Sequence, residues 1–171
     1  GHVYEEAVDR IVTSIRSEMS AEGYKTLMVG SIKENDGKST VTANIALNLA
    51  RRGKKVVLVD CDMRHPSLAK IFDATVDPKE QFSEYLLGKC ELDKVLKRTE
   101  VQAHPIYCIW QKKAVAKPYR LLESERFASL IHQLKEQFDY VVMDTPPLEL
   151  IRDAEIISET ADAMLMVMCQ D

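Results

Sequence analysis

The chain has 171 residues, of which 46% are hydrophobic and 29% are charged, so it is long enough to bury a core as one soluble domain. Its net charge of -4 argues against a nucleic-acid-binding surface, and its apolar runs are far too short to span a bilayer. The cysteines are widely spaced, which argues against a zinc site or a disulfide framework and favours a reducing, cytoplasmic compartment. They are Cys61, Cys90, Cys108 and Cys169.

Residues 1–22 predict an N-terminal amphipathic helix. Apolar side chains recur there at helical spacing, at positions 8, 11, 12, 15 and 19. We expect this helix to belong to the same domain as residues 23–171, which carry the remaining predicted elements. Because the chain ends directly after its last predicted strand, which a further helix would ordinarily cover, we expect the domain to be truncated at its C-terminus.

The next stretch has the layout of a phosphate-binding loop. A short apolar strand, residues 26–29, leads into a polar loop that closes on the sequence GKST at residues 37–40, and an apolar-periodic helix follows from Val41. Such a loop needs a helix N-terminus with free N–H groups, a glycine beside the phosphate, a lysine for the β- and γ-phosphates and a hydroxyl for Mg²⁺. The strict motif also has a glycine five residues before Gly37, where this chain has Ile32. A capped surface helix is therefore the alternative interpretation.

Further elements alternate along the rest of the chain. Residues 55–60, KVVLVD, predict a strand buried on both faces. Two short helices at residues 82–87 and 92–96 and a third strand at residues 106–110 come next. They are followed by an amphipathic helix at residues 127–138, a fourth strand at residues 140–144, a helix near residues 154–160 and a fifth strand at residues 163–169. This alternation predicts an α/β fold in which a parallel sheet is sandwiched between helices, as in P-loop nucleotide triphosphatases.

Two aspartates follow buried strands in this arrangement. In an open parallel sheet, ligands bind at the carboxyl ends of the strands, and the phosphate-binding loop, Asp60 and Asp144 all fall at such ends. The alternative is that each aspartate only starts a turn or caps a helix. Together with Lys38 and Ser39, they indicate phosphate and metal chemistry at one edge of the sheet.

Three motifs carry a resemblance to a known family. Residues 57–68, VLVDCDMRHPSL, resemble the second nucleotide motif (Walker A′) of the bacterial protein-tyrosine kinases that control capsule and exopolysaccharide synthesis. Residues 140–147, YVVMDTPP, look like the Walker B segment of that family, and Asp153-Ala154 matches the pair that follows it. The resemblance runs from about Glu6 to the end of the chain and extends to the related deviant-Walker ATPases.

The resemblance implies a role for each matching residue toward ATP or ADP and Mg²⁺. Lys38 would bind the β- and γ-phosphates and Thr40 the α-phosphate, and Ser39 would bind Mg²⁺. Asp62 and Asp144 would hold the metal through its water shell. Asp60 would be the base or orienter for a tyrosine hydroxyl. The alternative is that Asp62 is the base and Asp60 holds the metal. The rest of the loop comprises Asn35, Asp36 and Gly37, and Arg64 would be a phosphate contact, an interface contact or a solvated side chain.

The same resemblance implies partners and a location. The domain would work with a membrane-embedded polysaccharide chain-length regulator, phosphorylate a tyrosine-containing protein and lie in the cytoplasm at the inner face of the membrane. The six tyrosines of these 171 residues are scattered, so we expect any tyrosine cluster that serves as substrate to lie beyond Asp171 or on another molecule.

Several positions depart from the family pattern. Glu34, Asn35 and Asp36 replace the usual Pro-Gly-Glu, and the added carboxylates should weaken nucleotide binding. In the N-terminal helix, Asp9 and Val12 stand where the family's assembly motif has arginines. We therefore expect a monomer or a weak dimer rather than a ring.

Three functions remain open at this point. The first is an ATP-dependent protein-tyrosine kinase domain that regulates capsule or exopolysaccharide synthesis and export. The second is a degenerate nucleotide-binding module that regulates export without phosphorylating a protein. The third is a partition-type ATPase that hydrolyses ATP with water.

Overall fold

The structure, a computed structural model, describes residues 2–34, 37–148 and 151–168, without the side chains of residues 2, 3 and 151. The first half comprises helix α1 (His2–Glu22), strand β1 (Thr26–Ser31), helix α2 (Lys38–Arg51), strand β2 (Val56–Asp60), helix α3 (Leu68–Ile71), a 3₁₀ turn (Pro78–Glu80) and helices α4 (Phe82–Leu86) and α5 (Leu92–Val95). The second half comprises strands β3 (Leu96–Val101) and β4 (His104–Ile109), helices α6 (Tyr119–Leu122) and α7 (Glu125–Gln137), strand β5 (Tyr140–Asp144), helix α8 (Ile151–Ser158) and strand β6 (Ala163–Val167).

The strands form one six-stranded sheet in the order β3-β4-β2-β5-β1-β6. The pairs that join β4, β2, β5, β1 and β6 are parallel, and only the β3–β4 pair at one edge is antiparallel. The predicted α/β fold with a helix-flanked parallel sheet is thus confirmed for five strands. The register aligns Asp60 at the end of β2 with Asp144 at the end of β5, and Asp144 with Val29 of β1. Three strand ends therefore meet at one edge of the sheet.

Helices cover both faces of the sheet because the central strands are apolar on both faces. Every residue of β2 and β5 is buried. In β2, Val56 and Leu58 pack with α1 and α2, whereas Val57 and Val59 pack with α4, α7 and α8 on the opposite face. This alternation follows from the two-residue period of a strand and creates two cores separated by the sheet.

The main departure from the predicted elements is strand β3. No sequence pattern predicts this strand, because its charged residues alternate with half-buried ones in the manner of an exposed segment. The turn that joins β3 to β4 is also unusual. Gln102 and Ala103 both have positive φ, 53° and 66°, in a connection where asparagine and glycine are the usual residues. The sequence therefore has no hairpin signal at this turn.

Other boundaries shift by a few residues. Helix α2 begins at Lys38, not at Val41, and β4 begins at His104, two residues before the predicted strand. Ser124 caps α7 by accepting a hydrogen bond from the backbone N–H of Phe127 at 3.3 Å. In the part of the chain that the structure describes, no helix is long and apolar enough to cross a membrane.

Candidate active site

The N-terminus of α2 forms one wall of the site. Gly37 precedes the helix with φ of 75°, in the left-handed region, and a Cβ atom built there would meet nothing within 4 Å. The glycine is therefore needed for its backbone conformation and not for space. From this turn, Lys38 points into the protein and is only 6% exposed.

Asp144, at the end of β5, joins the side chains of the first helical turn. Its Oδ1 accepts hydrogen bonds from Lys38 Nζ at 2.6 Å and from Thr42 Oγ1 at 3.0 Å, and its Oδ2 accepts one from Ser39 Oγ at 2.7 Å. All three donors lie on α2, which the loop after β1 delivers to the neighbouring strand end. Asp144 thus has three charge-assisted or polar partners that satisfy a fully buried carboxylate.

Asp60 and Asp62, which follow β2, supply two more carboxylates. Asp60 is fully buried and accepts weak hydrogen bonds from the backbone N–H groups of Asp62 at 3.2 Å and Leu68 at 3.4 Å. Burial, and then the neighbouring carboxylates of Asp144 and Asp62, raise the pKa of Asp60 well above its usual range. Burial also raises the pKa of Asp62, although Lys38, 3.7 Å away, opposes the increase.

The three carboxylates outnumber the single buried ammonium group. Lys38 is the cation that neutralises them, and its closest contact is with Asp144. The raised pKa values of Asp60 and Asp62 have their physical origin in burial together with this surplus of negative charge. A divalent cation bound here would relieve the surplus, and carboxylates with a serine hydroxyl are the hard oxygen donors that Mg²⁺ prefers.

The donor set fits a metal that is shared with another ligand. Among the described residues, no group of three or more histidine, cysteine, aspartate or glutamate side chains is arranged to hold a metal ion by itself. Mg²⁺ commonly takes one or two protein ligands together with waters and substrate phosphates, so this donor set is compatible with a Mg·nucleotide.

A cavity of about 630 Å³ opens over these side chains. It extends from the first turn of α2 to the segments that follow β2 and β4. Asp62 lines the cavity, whereas Asp60 is buried and does not line it. The lining residues are Glu34, Gly37, Lys38, Ser39, Thr40, Asp62, Arg64, His65, Pro66, Ser67, Lys70, Ile71, Lys112, Ala114 and Pro147.

The residues predicted for the nucleotide loop are placed as follows. Gly37, Lys38, Ser39 and Thr40 line the cavity together. Asn35 and Asp36 lie outside the described residues. Glu34 also lines the cavity, and its Oε1 lies 2.8 Å from Nε2 of His65.

The guanidinium of Arg64 is held by hydrogen bonds within the domain. Its guanidinium donates to the buried Asp153 at 2.8 Å and to the carbonyl of Ala116 at 2.9 Å. Asp153 is the aspartate of the Asp-Ala pair, so two of the sequence motifs are joined by this ion pair.

Two hydroxyl groups of the site were not identified from the sequence. Ser67 Oγ donates to Ser39 Oγ at 2.7 Å, and Thr42 reaches both Asp144 and the carbonyl of Lys38. Ser67 lies within the resemblance to the Walker A′ motif, so its position could have been noted. Thr42 is one more threonine in a helix and has no distinguishing signal in the sequence.

Comparisons with known proteins agree with the fold and identify the family. The family model described as AAA domain matches residues 13–170. The chain is 34% identical over 163 residues to the tyrosine-protein kinase CpsD of Streptococcus agalactiae, an alignment that covers 95% of this chain and 68% of that protein. The kinase domain of the Escherichia coli tyrosine kinase ETK has a similar structure, with a TM-score of 0.87 at 28% identity, over 95% of this chain and 62% of that one.

A more distant likeness concerns the fold alone. The septum-site-determining protein MinD of Pyrococcus horikoshii is 22% identical, with a TM-score of 0.70, over 84% of this chain and 57% of that one. The chain therefore has the fold of the P-loop nucleotide triphosphatases.

The chain belongs to the AAA-domain family and, within it, to the bacterial tyrosine-protein kinases. These relatives support the kinase interpretation of the sequence over a degenerate module or a partition-type ATPase. Since the chain spans 62% of the ETK domain, the activity, substrate and partners of the whole protein are matters for proposal.

Proposed function

We propose that this domain transfers the γ-phosphate of Mg·ATP to a protein tyrosine and thereby regulates capsule or exopolysaccharide synthesis and export. The observation that supports this most is the buried Lys38, held at a helix N-terminus 2.6 Å from Asp144 and 3.7 Å from Asp62. A cation in this position can exchange its carboxylate partners for nucleotide phosphates, because both are anionic oxygens and a bound Mg²⁺ would take over the neutralisation of the carboxylates.

The nucleotide would bind along the first turn of α2. The free N–H groups of the helix N-terminus and the ammonium group of Lys38 would hold the phosphates, with Thr40 at the α-phosphate. Ser39 would bind Mg²⁺ directly, and Asp62 and Asp144 would bind it through waters. The Mg²⁺ ion supplies neutralisation of the phosphate charge when it is bound. The solved MinD protein is a complex with Mg-ADP, which supports this arrangement by analogy of fold.

The proposed transfer replaces one phosphorus–oxygen bond with another. The tyrosine oxygen forms a bond to the γ-phosphorus, the bond from that phosphorus to the β–γ bridging oxygen breaks, and ADP leaves with the electron pair. The phenolic proton passes to the Asp60–Asp62 pair. Phosphoryl transfer requires little from a protein beyond positioning and charge stabilisation, and the buried ammonium group provides the second of these.

The two carboxylates contribute different properties to the proton transfer. Asp62 lines the cavity and can contact the hydroxyl, whereas Asp60 is fully buried behind it and has the more strongly raised pKa. A general base works best when its pKa lies near the working pH, and burial raises the pKa of Asp62 from its ordinary value in that direction. Neighbouring carboxylates titrate as a unit, so we assign the proton to the pair.

A nucleotide titration tests the binding part of the proposal. Calorimetry should detect binding of Mg·ADP to the wild-type chain and no binding to Lys38→Ala. Lys113→Ala is the matched control, because Lys113 is exposed and does not line the cavity. Circular dichroism should show that both variants are folded. Unchanged binding by folded Lys38→Ala would refute the assignment.

A transfer assay tests the chemistry. A tyrosine-rich peptide with radiolabelled ATP should be phosphorylated by the wild-type chain, and Asp62→Asn should lower the rate by about 10²–10⁴-fold, as expected for loss of a general base. If Asp62→Asn instead raises only the Mg²⁺ requirement while Asp60→Asn abolishes transfer, then Asp60 alone is the base. Nucleotide binding without transfer to any tyrosine would indicate the regulatory module.

The partner and the location rest on the family resemblance. We propose that the domain works beside a membrane-embedded chain-length regulator on the cytoplasmic side of the membrane. Recovery of the kinase in the membrane fraction should be lost when that regulator is deleted. A soluble distribution of the kinase that is the same with and without the regulator would contradict the proposal.

A further inference from the structure

One wall of the cavity consists of segments that are remote in sequence from the phosphate loop. In the sheet, β5 lies between β1 and β2, and β4 lies beyond β2. Residues that follow β2 and β4 line the cavity together with Asp62, and those after β2 also reach the phosphate loop, since Ser67 Oγ donates to Ser39 Oγ at 2.7 Å. An acceptor that reaches Asp62 would approach over this wall, and its side chains contribute to the choice of substrate.

Two lysines on this wall carry uncompensated charge. Lys70 lies on α3 and Lys112 on the segment after β4, and both are exposed and line the cavity. Within residues 2–34, 37–148 and 151–168, neither lysine has a carboxylate within ion-pair distance. By contrast, Arg64 is paired with Asp153, and His65 lies beside Glu34. The wall thus presents two cationic side chains that are available to pair with an incoming anionic group.

Buried amides hold the segment that carries Lys112 in one conformation. Gln81, 3% exposed, accepts hydrogen bonds from the backbone N–H groups of Lys112 and Lys113, both at 3.0 Å. Gln111, 1% exposed, donates to the carbonyl of Lys113 at 2.8 Å and to Ser83 Oγ at 3.0 Å.

The same segment is tied to the residues after β2. The N–H of Val115 donates to the carbonyl of Met63 at 2.8 Å, and the guanidinium of Arg64 donates to the carbonyl of Ala116. Such satisfied buried bonds order a loop in advance of binding, which reduces the entropy lost when a ligand binds.

Apolar groups accompany the two lysines. Ile71 is 43% exposed, and the exposed Ala114 and the half-buried Pro66 also line the cavity. Such a surface suits an aromatic residue that is flanked by carboxylates. The aromatic ring can pack on the apolar side chains, and the carboxylates can pair with the lysines.

We propose that Lys70 and Lys112, with Ile71 and Ala114, form an acceptor subsite that selects a tyrosine flanked by acidic residues. The subsite rests on the proposed kinase function, because it names the substrate class of the same cavity. The two lysines are additional to the groups proposed for the nucleotide phosphates, which are Lys38 and the N-terminus of α2.

The test compares two peptides and three variants. Each fluorescent peptide carries one tyrosine, with either glutamate or glutamine at the flanking positions. Anisotropy measures their binding to the wild-type chain, to the double variant Lys70→Gln/Lys112→Gln, to the charge reversal Lys70→Glu/Lys112→Glu and to the control Lys113→Gln. Lys113 neighbours Lys112 and is exposed, but it does not line the cavity. Mg·ADP titrations are run on the same samples.

The expected result is a preference of the wild-type chain for the glutamate peptide that the double variant loses. Each exposed ion pair should contribute roughly a 1.5- to 5-fold change in affinity, so the two lysines together should give about a 2- to 25-fold loss. The preference should shrink with added salt, and the charge reversal should favour the glutamine peptide. The control and the affinity for Mg·ADP should stay unchanged.

If the peptides bind, three results would overturn the subsite. They are equal binding of both peptides by the wild-type chain, an equal loss in Lys113→Gln, and a loss of Mg·ADP binding in the lysine variants, which would place the lysines in the nucleotide site. Absence of any peptide binding also refutes the subsite. Because nucleotide binding is measured separately, failure of the subsite is distinguished from failure of the proposed function.

Discussion

Replacing Asp60 with asparagine should stabilise the nucleotide-free domain while it impairs phosphoryl transfer. Asp60 is fully buried, and its carboxylate faces those of Asp62 and Asp144, with Lys38 as the shared cation. Lys38 lies 2.6 Å from Asp144 and 3.7 Å from Asp62 but makes no ion pair with Asp60, so it compensates Asp60 least directly. Asparagine has nearly the same shape and keeps one oxygen to accept the N–H of Asp62, which bonds Asp60 at 3.2 Å.

The magnitude follows from two opposing effects. Single stabilising substitutions commonly contribute about 0.5–2 kcal/mol, and we expect removal of this unfavourable charge to fall in that range. The loss of one acceptor for the N–H of Leu68 offsets little of this, since that bond is already long at 3.4 Å. For a domain of this size, the remaining gain corresponds to an increase in Tm of about 1–8 °C.

The pH dependence has a definite sign. The pKa of Asp60 in the folded state lies above its ordinary value of 3.8, so the folded state binds more protons than the unfolded state in the interval between them. The wild-type domain should therefore lose stability as the pH rises through the folded pKa. Asp60→Asn should flatten this loss but not abolish it, because the pKa of Asp62 is also raised.

Thermal unfolding without nucleotide or metal, over a pH series, measures both effects. Asp93→Asn is the control, since Asp93 is exposed and should change stability by less than about 0.5 kcal/mol. Asp144→Asn should act in the opposite direction, because it removes the nearest partner of a buried ammonium group, at a cost of up to about 3–5 kcal/mol. A lower Tm for Asp60→Asn near neutral pH would refute the charge argument.

Three further predictions concern stability, assembly and affinity. Asp162→Ala should destabilise the fold by about 1.5–3 kcal/mol in chemical denaturation, because the carboxylate of Asp162 accepts hydrogen bonds from the N–H groups of Lys25 and Thr26 at 2.8 and 3.0 Å. An effect as small as that of the control Asp93→Ala would contradict this prediction. Light scattering at micromolar concentration should find a monomer or a weak dimer, because Asp9 is paired with Arg52 at 2.7 Å and Val12 is only 1% exposed. A stable ring would contradict this prediction. Glu34→Gln should tighten Mg·ADP binding by roughly 1.5- to 5-fold in calorimetry, and an unchanged affinity would mean that the Glu34 charge does not reach the phosphates.

The sequence by itself was sufficient for the parts of this protein that depend on local pattern. Buried strands such as residues 56–60 and 140–144 are apolar on both faces, so they can be recognised without knowledge of their neighbours. The loop at residues 37–40 is also a local feature, because the glycine, lysine and hydroxyl groups are adjacent in the chain. The motifs that indicate the tyrosine-kinase family are likewise short contiguous stretches, so their order along the chain was enough to suggest the family.

The tertiary structure decided what depends on which strands lie side by side. Strand β5 lies between β1 and β2, and this order places Asp144 within reach of Lys38 and across from Asp60. Burial then separates two aspartates that look alike in the sequence, because Asp62 lines the cavity and Asp60 does not. The charged edge strand β3 and the two lysines beside the cavity likewise have no local signal, since pairing and distance between remote segments give them their roles.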